Sequence, residues 1–203
     1  MAKRVEGFDA VILEQAKQEF LKNGYENASL RTIAQNASVS TSTIYTRFKD
    51  KEGLFKALLQ PVADELLHYM SSYFTDFQNL DAIQQEENCA EYSQRGYNGF
   101  LEIIYSHFDE FKLFVNSSTN GMYRNYLEQI VNLDVQCTVE FLKASQNEAY
   151  LEGRVTEEFI HILSSGFYSG IFEIVVHDMK REESERYFAE LQAFYNMGWS
   201  RYF

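Results

Sequence analysis

Ser29-Leu-Arg-Thr-Ile-Ala-Gln-Asn-Ala-Ser-Val-Ser-Thr-Ser-Thr-Ile-Tyr-Thr-Arg-Phe-Lys-Asp-Lys-Glu-Gly-Leu-Phe55 is the stretch on which the reading of the chain turns. Ser29 is a good N-cap, and Leu30, Ile33, Ala34 and Ala37 fall on one side of a short helix of about two turns. After Ser38-Val39-Ser40 a second short helix begins at Thr41, with Ser40 as its cap and Ile44 and Phe48 facing inward. Thr41, Ser42, Thr43, Thr46 and Arg47 are then left outside. Reading a major groove about 12 Å wide calls for such a helix, small and hydrogen-bonding outward, held at a fixed angle by a second helix behind it.

Outward from this stretch, apolar residues continue at helical spacing. Phe8, Val11, Ile12, Ala16, Phe20 and Leu21 form a stripe that stops at Asn23-Gly24, where glycine is expected to cap the helix in the left-handed conformation. Asp50 caps a fourth helix whose stripe runs from Leu54 to Met70, with Pro61 inside it predicting a bend near residues 57 to 61. Further stripes cover roughly residues 86 to 108, 110 to 117, 123 to 146, 156 to 178 and 184 to 202. One proline and 10 glycines leave little punctuation for an all-β chain. The expected fold is all-α: an N-terminal helix-turn-helix head of three helices over residues 1–50, joined by a long helix to a larger helical domain over residues 51–203.

Composition bounds the function. The chain has 203 residues, 45% hydrophobic and 24% charged, which excludes wholesale disorder. A net charge of -12 argues at first against a nucleic-acid partner, but the charge is unevenly spread. Residues 1 to 56 hold nine basic and seven acidic residues, a net of +2, so the other 147 hold nine basic and 23 acidic, a net of -14. Such asymmetry indicates two jobs on one chain. Cys89 and Cys137 are too few for a disulfide framework and have no cationic neighbours in sequence to activate them. His68, His107, His161 and His177 lack zinc spacing, so no metal or cofactor is expected. No phosphate-binding glycine loop, nucleophile elbow or H-E-x-x-H motif is present, so no catalytic residue is nominated and an enzyme is not expected. Met1 to Glu6 has no apolar run behind it, and Gly170 to Val176 is too short to span a membrane, so a cytoplasmic protein is expected.

The quoted stretch resembles the DNA-binding signature of the TetR family of bacterial transcriptional regulators, and the likeness extends over the first 55 or so residues. The resemblance implies an operator-binding surface made of Arg31, Thr32, Ser40, Thr41, Ser42, Thr43, Tyr45, Thr46, Arg47, Lys49 and Lys51. Arg31 would reach a base edge, Thr41 to Thr43 would lie along the groove floor, and Tyr45 and Lys51 would hold phosphates. Lys3 and Arg4 would follow the backbone as an arm. Ser38 holds a turn position that the family usually fills with glycine, so the resemblance implies a positive φ there at a cost of about 1 kcal/mol, and serine at 42, often glycine or proline in the family, means that the operator sequence does not carry over.

Of the 31 phenylalanine and tyrosine residues and the single tryptophan, six lie in residues 1 to 56 and 26 beyond. In the family this larger region resembles a ligand-sensing and dimerising domain. An aromatic, acidic cavity there would suit an apolar or cationic small molecule, with Tyr105, Phe108, Phe114, Tyr123, Tyr126 and Phe167 as candidate lining. Gly166 and Gly170, with Leu191, Phe194, Tyr195, Trp199 and Tyr202, are the candidates for a four-helix homodimer interface. The expected function is a dimeric regulator of transcription, a ligand-responsive repressor on a pseudo-palindromic double-stranded operator. The alternative is the same fold acting through a protein partner without binding DNA.

Overall fold

The computed structural model describes residues 3–116 and 121–202, with the side chains of 3–7, 82, 86, 89–91, 93 and 94 outside the description. Lys3, Arg4 and Cys89 therefore lie outside it as side chains. Among the described residues the chain forms ten helices and no strand: α1 (Lys3–Asn27), α2 (Leu30–Asn36), α3 (Thr41–Phe48), α4 (Lys51–Gln78), α5 (Ala82–Ser106), α6 (Phe108–Val115), α7 (Met122–Ala144), α8 (Glu148–Leu151), α9 (Glu157–Val176) and α10 (Arg181–Trp199). The all-α expectation holds. The single turn α8 has no stripe of its own and was not expected; Asn147 caps it by accepting from the Tyr150 amide at 3.1 Å.

Two glycines shape the head. Gly24 breaks α1 with φ 72° and ψ 163°, which is not the left-handed cap expected from the sequence but an extended left-handed conformation that a Cβ disfavours. Gly53 opens the first turn of α4, where its amide donates to Asp50 Oδ1 at 2.7 Å and a Cβ would overlap the Phe48 carbonyl. The α3–α4 corner can be this tight only with glycine there. Ser38 does take a positive φ, 55°, and Lys49 closes α3 with φ 71°.

The core of the head is built from Ile12, Ala16 and Phe20 of α1, Ile33 and Ala34 of α2, Ile44 of α3, and Leu54 and Phe55 of α4, all buried. Phe20 meets Phe55 edge-on at 5.0 Å between centroids, and Tyr25 packs on Phe55 at 4.9 Å. α4 runs unbroken through Pro61.

Packing gathers the chain into two compact units, Met1–Asp64 with His107–Ser118 and Glu65–Ser106 with Thr119–Phe203. The first takes in α6, because Lys17 on α1 pairs with Glu110 on α6 at 3.1 Å. In the second unit α9 packs on α7 and α10. α9 is long and apolar enough by composition to cross a membrane, unlike the seven-residue stretch singled out in the sequence, yet Ile160, Ser164, Tyr168, Ile171, Phe172, Ile174 and Val175 are buried within the unit.

Gly53→Ala is expected to destabilise the head by about 1–3 kcal/mol, since the Cβ must displace backbone. Thermal unfolding followed by circular dichroism checks this; an unchanged midpoint would mean that the corner opens at no cost.

Candidate nucleic-acid interface and ligand cavity

The reading face of the head is assembled by side-chain caps. Ser29 Oγ accepts from the Thr32 amide at 3.3 Å, and its own amide donates to buried Glu19 at 3.0 Å, which ties the start of α2 to α1. Ser40 Oγ accepts from the Thr43 amide at 3.2 Å and lies 2.7 Å from Ser42 Oγ and 2.8 Å from Thr43 Oγ1. The exposed start of α3 is thus a pre-ordered cluster of hydroxyls.

The structure sorts the residues implied by the resemblance. Arg31, Ser40, Ser42, Tyr45, Thr46 and Lys49 are exposed, while Thr32, Thr41 and Thr43 are half-buried. Tyr45 leaves 53% of its surface open, unusual for an aromatic ring on a head whose other large apolar groups mostly turn inward. Thr46 bonds back to the Ser42 carbonyl at 2.8 Å, so its hydroxyl proton is committed within α3. Arg47 is half-buried and pairs with Asp9 of α1, which makes it a strut between α3 and α1. Lys51 donates to the Glu26 carbonyl at 2.9 Å and lies over the Tyr25 ring at 4.8 Å, a further tie between α4 and the end of α1. Periodicity placed these two cations on the helices but carried no sign of partners 38 and 25 residues away.

The second unit holds a partly open cavity of about 600 Å³. Tyr73, Phe77, Phe100, Phe141 and Phe167 contribute rings to its wall, together with Tyr195 and Trp199 of α10. Of the six candidate lining residues, Phe167 borders it. The others are held in packing: Tyr105 donates to the Met179 carbonyl at 2.9 Å, Tyr123 and Tyr126 pack on Phe172 at 5.5 and 6.4 Å, and Phe108 and Phe114 belong to α6.

Gly166 and Gly170 serve the approach of α9 and α10 within the chain. A Cβ at Gly166 would lie 2.7 Å from Tyr195 Oη, and Tyr187 donates to the Gly170 carbonyl at 2.9 Å beside Leu191. Trp199 and Tyr202 pack on Phe159 at 6.4 and 5.7 Å. Phe194 is 74% exposed and Met197 78%, so α10 also keeps an open apolar face.

Most of the cavity lining, including the acidic residue Asp134, was not nominated from the sequence. Asp134 on α7 borders the cavity, where it accepts hydrogen bonds from the hydroxyls of Ser164 and Tyr168 on α9. It keeps some accessible surface because it faces the cavity, but protein surrounds it in depth, and burial pushes its carboxyl up to about 6 against the two hydroxyls that favour its charge. The available signal was an acidic residue on the buried stripe of α7, between Ile130 and Cys137. Among the described residues no group of three or more His, Cys, Asp or Glu comes together to hold a metal.

The chain is similar to known proteins in sequence and fold. Residues 12–58 match the family model of bacterial regulatory proteins, tetR family. The uncharacterized HTH-type transcriptional regulator YvkB of Bacillus subtilis is 46% identical over 48 residues, covering 24% of this chain and 25% of that protein. A crystal structure of a putative TetR-family transcriptional regulator from Mesorhizobium loti covers 96% of this chain and 98% of that one with a TM-score of 0.60 at 18% identity. The transcriptional regulator FadR of Bacillus subtilis, solved in complex with stearoyl-CoA, covers 90% and 95% with a TM-score of 0.51 at 18% identity.

The raised Asp134 carboxyl has a signed consequence. Stability from its protonated form is fully present below the unfolded carboxylate value of about 4 and is lost as pH rises through about 6. Asp134→Asn is therefore expected to match the parent near pH 4 and exceed it by about 1–3 kcal/mol above pH 7. Denaturant midpoints at both pH values test this, and a variant less stable at high pH would contradict it.

Proposed function

We propose, from the premise that this chain belongs to the TetR family of bacterial regulatory proteins, that it is a homodimeric, ligand-responsive repressor acting on a pseudo-palindromic operator in the bacterial cytoplasm. The observation that carries the reading is the pre-ordered hydroxyl face of α3, with Tyr45 and Arg31 exposed beside it on a head held rigid from behind. α3 enters the major groove, Arg31 takes a base edge, and Tyr45 and Lys49 hold the backbone. Arg47 and Lys51 act chiefly by setting the angle of the reading helix, since both are engaged with α1.

Functionally, residues 1–50 read DNA and residues 51–203 sense and dimerise. The open apolar side chains Phe194 and Met197 on α10, with Ile162 on α9, supply a dimer surface. The cavity of the second unit takes the effector. Occupancy shifts the population toward a spacing of the two heads that no longer fits the operator, transmitted along the continuous helix α4. A fatty-acyl chain, the chemistry held by the FadR neighbour, has room in such a cavity; the described lining offers no Lys, Arg or His to a coenzyme's phosphates.

The test is selection of bound duplexes from a random pool near physiological salt, followed by titration of the best sequence. Enrichment of an inverted repeat is expected, with affinity falling steeply as salt rises. Arg31→Ala is expected to cost about 1–3 kcal/mol and to relax the preference at one base pair per half-site. A folded protein that enriches no sequence would defeat the repressor reading and favour a protein partner.

A further inference from the structure

We infer that the cavity of the second unit selects a lipophilic monocation, with Asp134 as its counter-ion and the surrounding ring faces as its cation–π and apolar wall. The binding claim stands on the cavity itself; its regulatory consequence rests on the effector reading above.

Three observations converge. The described lining holds two carboxylates, Glu87 and Asp134, and no Lys, Arg or His. Arg95, which stacks over the lining residue Tyr92 at 4.2 Å, is exposed and is not part of the wall. The lining rings come from α4, α5, α7, α9 and α10, so a guest would be met by aromatic side chains on several sides. Aromatic faces are negative and favour a desolvated cation.

Asp134 supplies the specific element. A carboxylate enclosed by protein is costly without a partner, and two neutral hydroxyls compensate it only in part, as its upward displacement records. A cation seated beside it would complete that compensation, whereas an anion would meet repulsion from Asp134 and from the -14 net charge carried by residues 57 to 203. At about 600 Å³ the cavity accommodates an organic ion with several rings or a medium-length chain.

Tetraphenylphosphonium and tetraphenylborate have the same shape and opposite charge, and Trp199, the single tryptophan, borders the cavity and reports occupancy. With the full-length protein, saturable quenching of Trp199 is expected from the phosphonium at least tenfold more tightly than from the borate. Asp134→Asn should erase that preference by weakening the phosphonium about tenfold, and Asp134→Glu should restore it. Equal or tighter borate binding, an unaltered preference in Asp134→Asn, saturation by stearoyl-CoA but not by the phosphonium, or no saturation by any probe would each overturn the inference. Phosphonium binding that leaves operator affinity unchanged would uphold the cation site and overturn the effector reading instead.

Discussion

The interlock of Phe20, Tyr25 and Phe55 is the constraint on which the reading head depends. Phe20 and Phe55 are buried and meet edge-on, and Tyr25 closes over Phe55 after the chain has turned at Gly24. This fixes where α1 ends against where α4 begins. α2 and α3 are too short to hold a helical conformation alone, so their orientation is inherited from that junction. Glu19 beneath Ser29, Asp9 against Arg47, and Lys51 across the carbonyls of Glu26 and Ala28 then transmit it to the surface. Each of these ties spends a charged group on position, which leaves Arg31, Gln35 and Asn36 exposed on α2 and Ser42, Tyr45 and Thr46 on α3.

The head was legible because its determinants are local. Ser29 and Ser40 each sit one residue before a helix begins, and the caps they form span three residues. The positive φ of Ser38 was readable from the resemblance, because that turn position is one the family usually fills with glycine. What remained hidden is long-range. Lys17 joins α6 to α1 across 93 residues, so the allegiance of α6 to the head, and with it the placement of Phe108 and Phe114, had no signature in either segment. Which rings border the cavity was hidden for a related reason. Aromatic abundance names rings but not which of them border empty space, and Tyr123 and Tyr126, equally aromatic, are absorbed in packing against Phe172.

Ser164 and Tyr168 show how a polar site was masked by helical periodicity. Both lie on the buried stripe of α9, one turn apart, where a serine reads as a small residue allowing close packing and a tyrosine as core. Their common partner, Asp134, lies on another helix 30 residues from Ser164. A buried stripe that carries a carboxyl on one helix and two hydroxyls on its neighbour is a polar network, and such networks are worth keeping only when satisfied or when put to use. The same pattern in α7 and α9 that looks like ordinary amphipathic packing thus contains a carboxyl bordering the cavity.

Charge also bears on how a dimer would work. A head with net +2 beside a remainder with net -14 gains little sequence-independent affinity from phosphates, and the acidic body opposes approach within a Debye length of about 8 Å. A single head on DNA would therefore be held weakly. Two heads engaged together convert the second contact into an intramolecular event, and the gain depends on whether their spacing matches the half-sites. Under that regime a regulator need not dismantle its reading surface to release DNA. A small change in spacing would remove the second contact, and the acidic remainder would then work against the first, so under the proposed function modest differential binding in the cavity would suffice to empty the operator.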